Sequence, residues 1–306
     1  MSARLLRRLA TLLVTLLLVH AAAFFMMRAT RGGPFDEARA LDPQVQAALE
    51  ARFGLDRPLG EQYLRAVGGM LRGDFGPSLR YRDVEVSELL AAALPVSFAL
   101  GAAAVAWGLL VGIPLGLLGA GARRRMLRQG ADGVATLLLA MPNFVLAGAA
   151  IALFSFALGW LPPGGTGGFA HLVLPSLCLG LPLAAQVALL VRDAAAERLA
   201  SPGWRHARAL GLGGRRLWLA HVLKPSLTPV LAFLGPATAA VLTGSLVIER
   251  IFALPGLGTF FVEAALNRDY TLALGVTVVY TALLGVATLL ADLALMRVDP
   301  RVEALS

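Results

Sequence analysis

The side chains able to do chemistry are few in this chain, and their spacing does not assemble them. Four histidines, His20, His171, His206 and His221, show no metal-ligand spacing. A P-loop requires Gly-x-x-x-x-Gly-Lys-[Ser/Thr], yet the only lysine, Lys224, is followed by Pro225. Cys178, the single cysteine, lies in an apolar run and can close no internal disulfide. Asp292 lies in the last apolar stretch, where an acid is a functional candidate by default. It sits near the end of that stretch, within reach of interfacial water or Arg297. A membrane-embedded protease or lipid-modifying transferase needs Ser/His, two Asp or a His-Glu-x-x-His helix inside its spans. None of these occurs, so the sequence predicts no catalytic, cofactor-binding or metal site in the chain itself.

The most informative stretch is a loop. Ser201-Pro202-Gly203-Trp204-Arg205-His206-Ala207-Arg208-Ala209-Leu210-Gly211-Leu212 reads as a short capped helix. Ser201 is the N-cap, Pro202 the first helical residue and Gly211 the left-handed stop. A helix of little over two turns is marginal by itself in water and must dock on something. Trp204, Ala207 and Leu210 form an apolar stripe flanked by Arg205 and Arg208. A second helix, from about Arg215 to Leu223, is expected to end before Pro225. By spacing alone the first helix could also lie on lipid as an interfacial helix.

The elements that must position this loop are membrane spans. Hydrophobic residues make up 58% of the 306 residues, charged residues only 15%, and mean hydropathy is +0.73. A soluble domain carries about 25% charged residues. Six stretches reach the roughly 20 apolar residues that a crossing requires: Leu9–Met27, Leu94–Ala120, Gly133–Trp160, His171–Val191, Val230–Ile248 and Leu272–Met296. The first lacks a clear cleavage site before Arg28 and reads as an uncleaved span. Arg4, Arg7 and Arg8, then Arg123 to Arg128, then Arg192 to Lys224, and Arg297 with Arg301 all fall on one side. The positive-inside rule makes that side cytoplasmic, with both termini on it. The net charge of +8 is thereby assigned to short cytoplasmic loops and not to nucleic-acid binding. Pro95, Pro114, Pro142, Pro175, Pro182 and Gly235-Pro236 interrupt the spans, as a transport path tolerates.

Three segments follow: an N-terminal tail and first span at 1–28, an extracytoplasmic helical segment at 29–92, and a five-helix core at 93–306 holding a cytoplasmic loop at 192–229. In the outer segment Asp42-Pro43 reads as a helix start and Gly54 as a stop. A second helix is expected from Pro58 to Arg72, with Leu59, Tyr63, Val67 and Met70–Leu71 on one stripe and Gly73 after it. In the outer loop from Glu249 to Tyr270, Pro255-Gly256 is a turn signal. Phe260, Phe261, Val262, Ala264, Ala265 and Leu266 form an apolar run too short to span. It is expected to fold back into the outer mouth as part of a gate, with Pro255, Gly256, Phe260 and Phe261 as its residues, the alternative being a peripheral helix resting on lipid.

The loop resembles the Glu-Ala-Ala-x-x-x-Gly motif of binding-protein-dependent ABC importer permeases. Arg205, His206, Ala207 and Gly211 occupy its defined positions, and only Ala207 and Gly211 match. The peptide and nickel branch of that family reads Ala-Arg-Ala-x-Gly-Leu, which Ala207 to Leu212 fits, with Leu210 where Lys is common. His221 to Val230, Thr243 to Glu249, Leu254 to Gly258, Asn267-Arg268-Asp269-Tyr270, Asp299-Pro300-Arg301, Gly54 to Leu59 and Gly73 to Ser78 are also similar to that branch, in order. The similarity is greatest to its oligopeptide permease B subunits, with Gly76 to Asp83 and Ala265 to Tyr270 the chief witnesses.

The resemblance implies an all-α polytopic fold in the inner membrane and an importer of oligopeptides, with dipeptides, nickel chelates or another solute as alternatives. It implies a second, homologous permease, two cytoplasmic ATPases that bind ATP and Mg, and an extracytoplasmic peptide-binding protein. It implies that Trp204, Arg205, Ala207, Arg208, Ala209, Leu210 and Gly211 couple this chain to an ATPase groove.

Overall fold

The structure, a computed structural model, describes residues 2–29, 44, 48, 51, 53–81, 83–121, 125–211 and 213–298. Among these the regular elements are helical, apart from one isolated bridge between Pro77 and Glu85. Five helices are long and apolar enough to cross a membrane, and a bent pair passes the same test when taken together. The long helices are α1 (Ser2–Ala29), α3 (Val86–Gly121), α6 (Phe169–Ala200), α9 (Lys224–Ile251) and α11 (Tyr270–Val298). The bent pair is α4 (Arg125–Ala140) followed by α5 (Asn143–Ala150) and a π-helical turn at Ile151–Ala157.

That pair corrects the single span expected at Gly133–Trp160, because its halves meet at 104°. Pro142 supplies the cause. It has no backbone N–H and drives the residue before it out of the helical region. Its own backbone is extended, at φ −60° and ψ 143°, and it caps the next helix.

Two more expectations are corrected near α9. The helix expected to stop before Pro225 does not stop. α8 (Gly214–Trp218) runs through a π turn at Leu219–Leu223 straight into α9, with Pro225 in the first turn of the α segment. A proline is tolerated there because its missing N–H is not needed. Glu249, assigned to an outer loop, is instead inside α9 and fully buried, with Ser97 Oγ donating to its carboxylate at 2.8 Å. Burial against a partner, which hydropathy cannot see, decides its position.

The chain divides into two compact units, one of residues 1–96 and 255–285, the other of 97–254 and 286–306. In the second unit α6 is the most enclosed helix and packs on α4, α5 and α9. It also meets α3 backbone to backbone. A Cβ added to Gly112 would lie 2.5 Å from the Ala184 carbonyl oxygen, and one on Gly180 would lie 2.6 Å from that of Ala104. Gly108, Gly112 and Gly116 recur every fourth residue, the spacing that lets two membrane helices approach closely. Arg192 of α6 bonds Asp132 of α4 at 2.5 Å and Asp193 at 2.8 Å.

In the first unit the outer segment contains α2 (Leu59–Arg72), as expected, closed by Gly73 at φ +74°. Gly54 takes φ +65° directly after helical Phe53. The helix start expected at Asp42-Pro43 lies outside the described residues. An apolar cluster of Val86, Leu90, Ala93, Leu257, Ala264, Leu272 and Val276 joins the start of α3 to α10 (Leu257–Leu266) and α11.

Candidate coupling and gating sites

The loop helix α7 (Pro202–Ala209) is built as its caps dictate. Ser201 is extended at φ −68° and ψ 150°. Its Oγ accepts from the Trp204 N–H at 3.3 Å and donates to the Arg198 carbonyl at 2.7 Å. The N-cap thus ties α7 to the last turn of α6. At the other end Gly211 takes φ +78° and its N–H donates to the Arg208 carbonyl at 3.0 Å. A left-handed residue there turns the chain sharply toward α8.

The expected stripe divides into two functions. Ala207 is 4% exposed and faces inward. Trp204 is half-buried and stands edge-on to Trp218, with ring centroids 6.1 Å apart at 79°. Trp218 in turn abuts Gly121, the last residue of α3, where an added Cβ would come within 3.0 Å of the indole. Leu210, by contrast, is 67% exposed, and Arg205, Arg208 and Ala209 are exposed beside it. One face of α7 is therefore anchored to the ends of α3, α6 and α8. The other offers a leucine and two cations to whatever lies beyond.

The outer candidates lie in the first unit. Pro255 is exposed, and Gly256 is buried, extended and starts α10. Phe260 and Phe261 are half-buried against the apolar cluster, and Phe260 meets Tyr81 edge-on at 6.3 Å. The Tyr81 hydroxyl donates to Glu263 of α10 at 2.7 Å. Burial, and then that bond to a carboxylate, push the Tyr81 pKa up to about 12.

Below α10 sits a residue quoted in the sequence only as part of a motif. Asp269 is fully buried and accepts from Ser78 Oγ at 2.5 Å and from the backbone N–H groups of Leu79 at 3.2 Å, Arg80 at 3.3 Å and Leu272 at 3.1 Å. Thr271 Oγ1 also donates to it, at 3.0 Å. One carboxylate therefore holds the Gly76 to Asp83 segment onto the Asn267 to Tyr270 corner. The two motifs that most resembled the oligopeptide branch are two halves of one latch. No spacing rule could have paired them, since 191 positions separate Ser78 from Asp269.

Asp292 is half-buried on α11, and the side chain of Arg297, its expected partner, lies outside the described ones. Among the described residues no group of His, Cys, Asp or Glu is arranged to hold a metal.

Residues 112–304 match the family model described as "Binding-protein-dependent transport system inner membrane component". The chain is 40% identical over 300 residues to the oligopeptide transport system permease protein OppB of Salmonella typhimurium, covering 97% of this chain and 98% of the relative. It is 36% identical over 303 residues to the dipeptide transport system permease protein DppB of Bacillus subtilis, covering 99% and 98%. In fold it is similar to a chain of the MetNI methionine ABC transporter in an inward-facing conformation, with a TM-score of 0.59, 17% identity, and coverage of 69% of this chain and 96% of that one. An amino acid ABC transporter gives a TM-score of 0.51 at 18% identity, covering 70% and 94%. The chain belongs to the family of inner-membrane permease components of binding-protein-dependent ABC importers.

Proposed function

We propose that this permease forms half of an oligopeptide path and is driven through α7 by a cytoplasmic ATPase. The observation that carries the reading is the two-sided helix: Trp204 and Ala207 are held by the protein, while Arg205, Arg208, Ala209 and Leu210 are free to enter a groove. An isolated two-turn helix would melt. Its N-cap and the Trp204–Trp218 contact let a displacement of the exposed face reach α3 and α6 as a rigid-body motion.

The complete machine in this reading has a second permease of the same family, two ATPases that hold ATP and Mg, and an extracytoplasmic peptide-binding protein. Pro255, Gly256, Phe260 and Phe261 contribute to the outer gate, and α10 moves with the segment that Asp269 latches to it. The relatives named for oligopeptide and dipeptide transport support a peptide as the solute. The near absence of fixed charge around Thr238 to Ser245 suits a solute whose side chains vary.

The experiment is uptake of labelled dipeptides, tri- to pentapeptides and nickel by cells with and without the gene, paired with ATPase stimulation in the reconstituted complex. Loss of tri- to pentapeptide uptake is expected. Unchanged tri- to pentapeptide uptake with loss of another solute's would remove the substrate assignment while leaving the importer.

A further inference from the structure

We propose that a cavity at the outer end of α1 binds a phospholipid head group, its phosphodiester on Arg28 and its hydrogen-bond-donating end, ethanolamine or glycerol, toward Gln62. The cavity has a volume of about 290 Å³ and lies wholly among residues of the first unit. That is far above the roughly 10–15 Å³ one water needs by a comparable measure.

Its chemistry is graded along α1. Arg28 stands at the rim, and His20 lies eight residues earlier, about 12 Å deeper along the helix axis. Between them Phe24, 3% exposed, and Leu274, 9% exposed, give apolar walls. The Arg distribution puts this end of α1 at the extracytoplasmic interface. A cationic rim over an apolar shaft at that depth suits an amphiphile.

Two side chains lack what such a ligand supplies, and a third buried polar atom lines the same cavity. Arg28 is half-buried, its guanidinium 5.5 Å from the Phe24 ring centre and 5.4 Å from that of Tyr270. The rings hold the cation from its faces, yet among the described residues its N–H donors form no hydrogen bond or ion pair. Gln62, 9% exposed, donates from Nε2 to the Leu55 and Arg57 carbonyls, while its Oε1 has no partner. His20, 2% exposed, has no partner at Nδ1. Both line the cavity. A buried acceptor left unmade is costly, and the position of Gln62 is fixed by its two other bonds. An anion alone would satisfy Arg28 and leave Gln62 Oε1 empty. A phosphodiester carrying an ammonium or hydroxyl satisfies both.

Charge at the rim agrees. Arg65 and Arg72 also line it. Arg65 is shared with Glu61 at 3.0 Å, and Arg72 is exposed with no ion pair among the described residues. The one acid of the lining, Asp74, spends an oxygen on the Gly76 N–H at 2.9 Å.

The test is lipid retention by the full-length chain purified in mild detergent, read by native mass spectrometry. Phosphatidylethanolamine, phosphatidylglycerol and phosphatidylcholine are added back singly, and inorganic phosphate serves as a competitor. Ethanolamine and glycerol lipids should bind roughly tenfold tighter than the choline lipid, whose head has no N–H or O–H. Arg28→Gln should weaken all of them by a similar factor, with Arg28→Lys recovering part. Gln62→Leu should erase the preference between ethanolamine and choline. Should Arg28→Gln fail to fold, Arg72→Gln removes rim charge from an exposed position and should still loosen retention measurably. Equal retention of ethanolamine and choline lipids by the unmodified chain overturns the proposal. So does unchanged retention in a folded Arg28→Gln, or in Arg72→Gln where Arg28→Gln does not fold. Inorganic phosphate that displaces lipid completely would assign the site to a free anion instead.

Discussion

The two regions that bear motifs are built on opposite plans. The cytoplasmic helix α7 is short, held along one face, and leaves Leu210 mostly in solvent. The outer helix α10 is nearly as short but is enclosed, with Leu257 and Ala264 buried and Phe260 and Phe261 packed inward. Below it Asp269 gathers five donors. If α7 receives force from another subunit, as proposed, an unfinished surface is what that role requires. An element whose position relative to its own neighbours must not drift is bonded from several sides. Substitutions should therefore separate the two: stability at the outer end, coupling at the inner.

The largest loss of stability is expected from Asp269→Ala. It strips the acceptor from the Ser78 hydroxyl and the Leu79 and Leu272 N–H groups, while the Arg80 N–H keeps Ser78 Oγ and Thr271 Oγ1 keeps the Pro77 carbonyl; desolvated donors left unpaired cost about 1–3 kcal/mol each. Even with partial relaxation roughly 3 kcal/mol or more should go. Thermal unfolding of the detergent-solubilised protein measures it, and Ser78→Ala should recover only a minor share of the same loss. A melting temperature for Asp269→Ala equal to that of the parent would mean that the latch is an accident of packing.

Gly211→Val comes next. The position is at φ +78°, a conformation that a β-branched residue resists by roughly 1–2 kcal/mol. Nothing crowds an added Cβ there, so the cost is backbone strain alone. It should fall on the exit angle of α7, lowering ATPase stimulation while insertion proceeds. Gly211→Asn, which tolerates the left-handed region, should keep most of the coupling.

How far the sequence reaches follows the same division. α7 was legible because every signal is local: Ser201, Pro202 and Gly211 act on backbone within four residues. α2 and its Gly73 stop were legible for the same reason. The Asp269 latch was not, because its partners lie in another part of the chain. Gly108, Gly112 and Gly116 carried a readable spacing, but only the fold names α6 as the surface they approach. Glu249 went to a loop because hydropathy ends at charge, whereas Ser97 and close packing bury it. Pro142 is a readable breaker, but the angle it produces, 104°, is not written in the residues around it.

A smaller change is expected from Tyr81→Phe. It removes the bond to the Glu263 carboxylate, worth about 1.5 kcal/mol at this partly exposed site, and it leaves the edge contact with Phe260. It should also alter the response to alkali. Folding raises the Tyr81 pKa from 10.0 to about 12. Its contribution is thus complete below pH 10 and is lost as pH rises toward 12. Tyr81→Phe should flatten the fall in stability over that window relative to the parent. Parallel stability curves for the two proteins between pH 10 and 12 would contradict the assignment of that bond.

The smallest effect on stability belongs to the substitution with the sharpest consequence for function. Leu210 is exposed, so Leu210→Asp removes almost no packing, and a surface change of this kind stays within about 0.5 kcal/mol. The aspartate would sit beside Arg208 and follow the basic last turn of α7, which further limits any penalty within the chain. In a partner's apolar groove the same carboxylate would have to shed its water without compensation, at a cost of several kcal/mol. The expected result is a variant that inserts and melts like the parent, does not retain the ATPase on co-purification, and does not import. Leu210→Met, similar in volume and apolar, should do all three normally. If Leu210→Asp imports at the parental rate, the exposed face of α7 is not the surface through which force enters, and the contrast between an unfinished inner helix and a finished outer one loses its functional meaning.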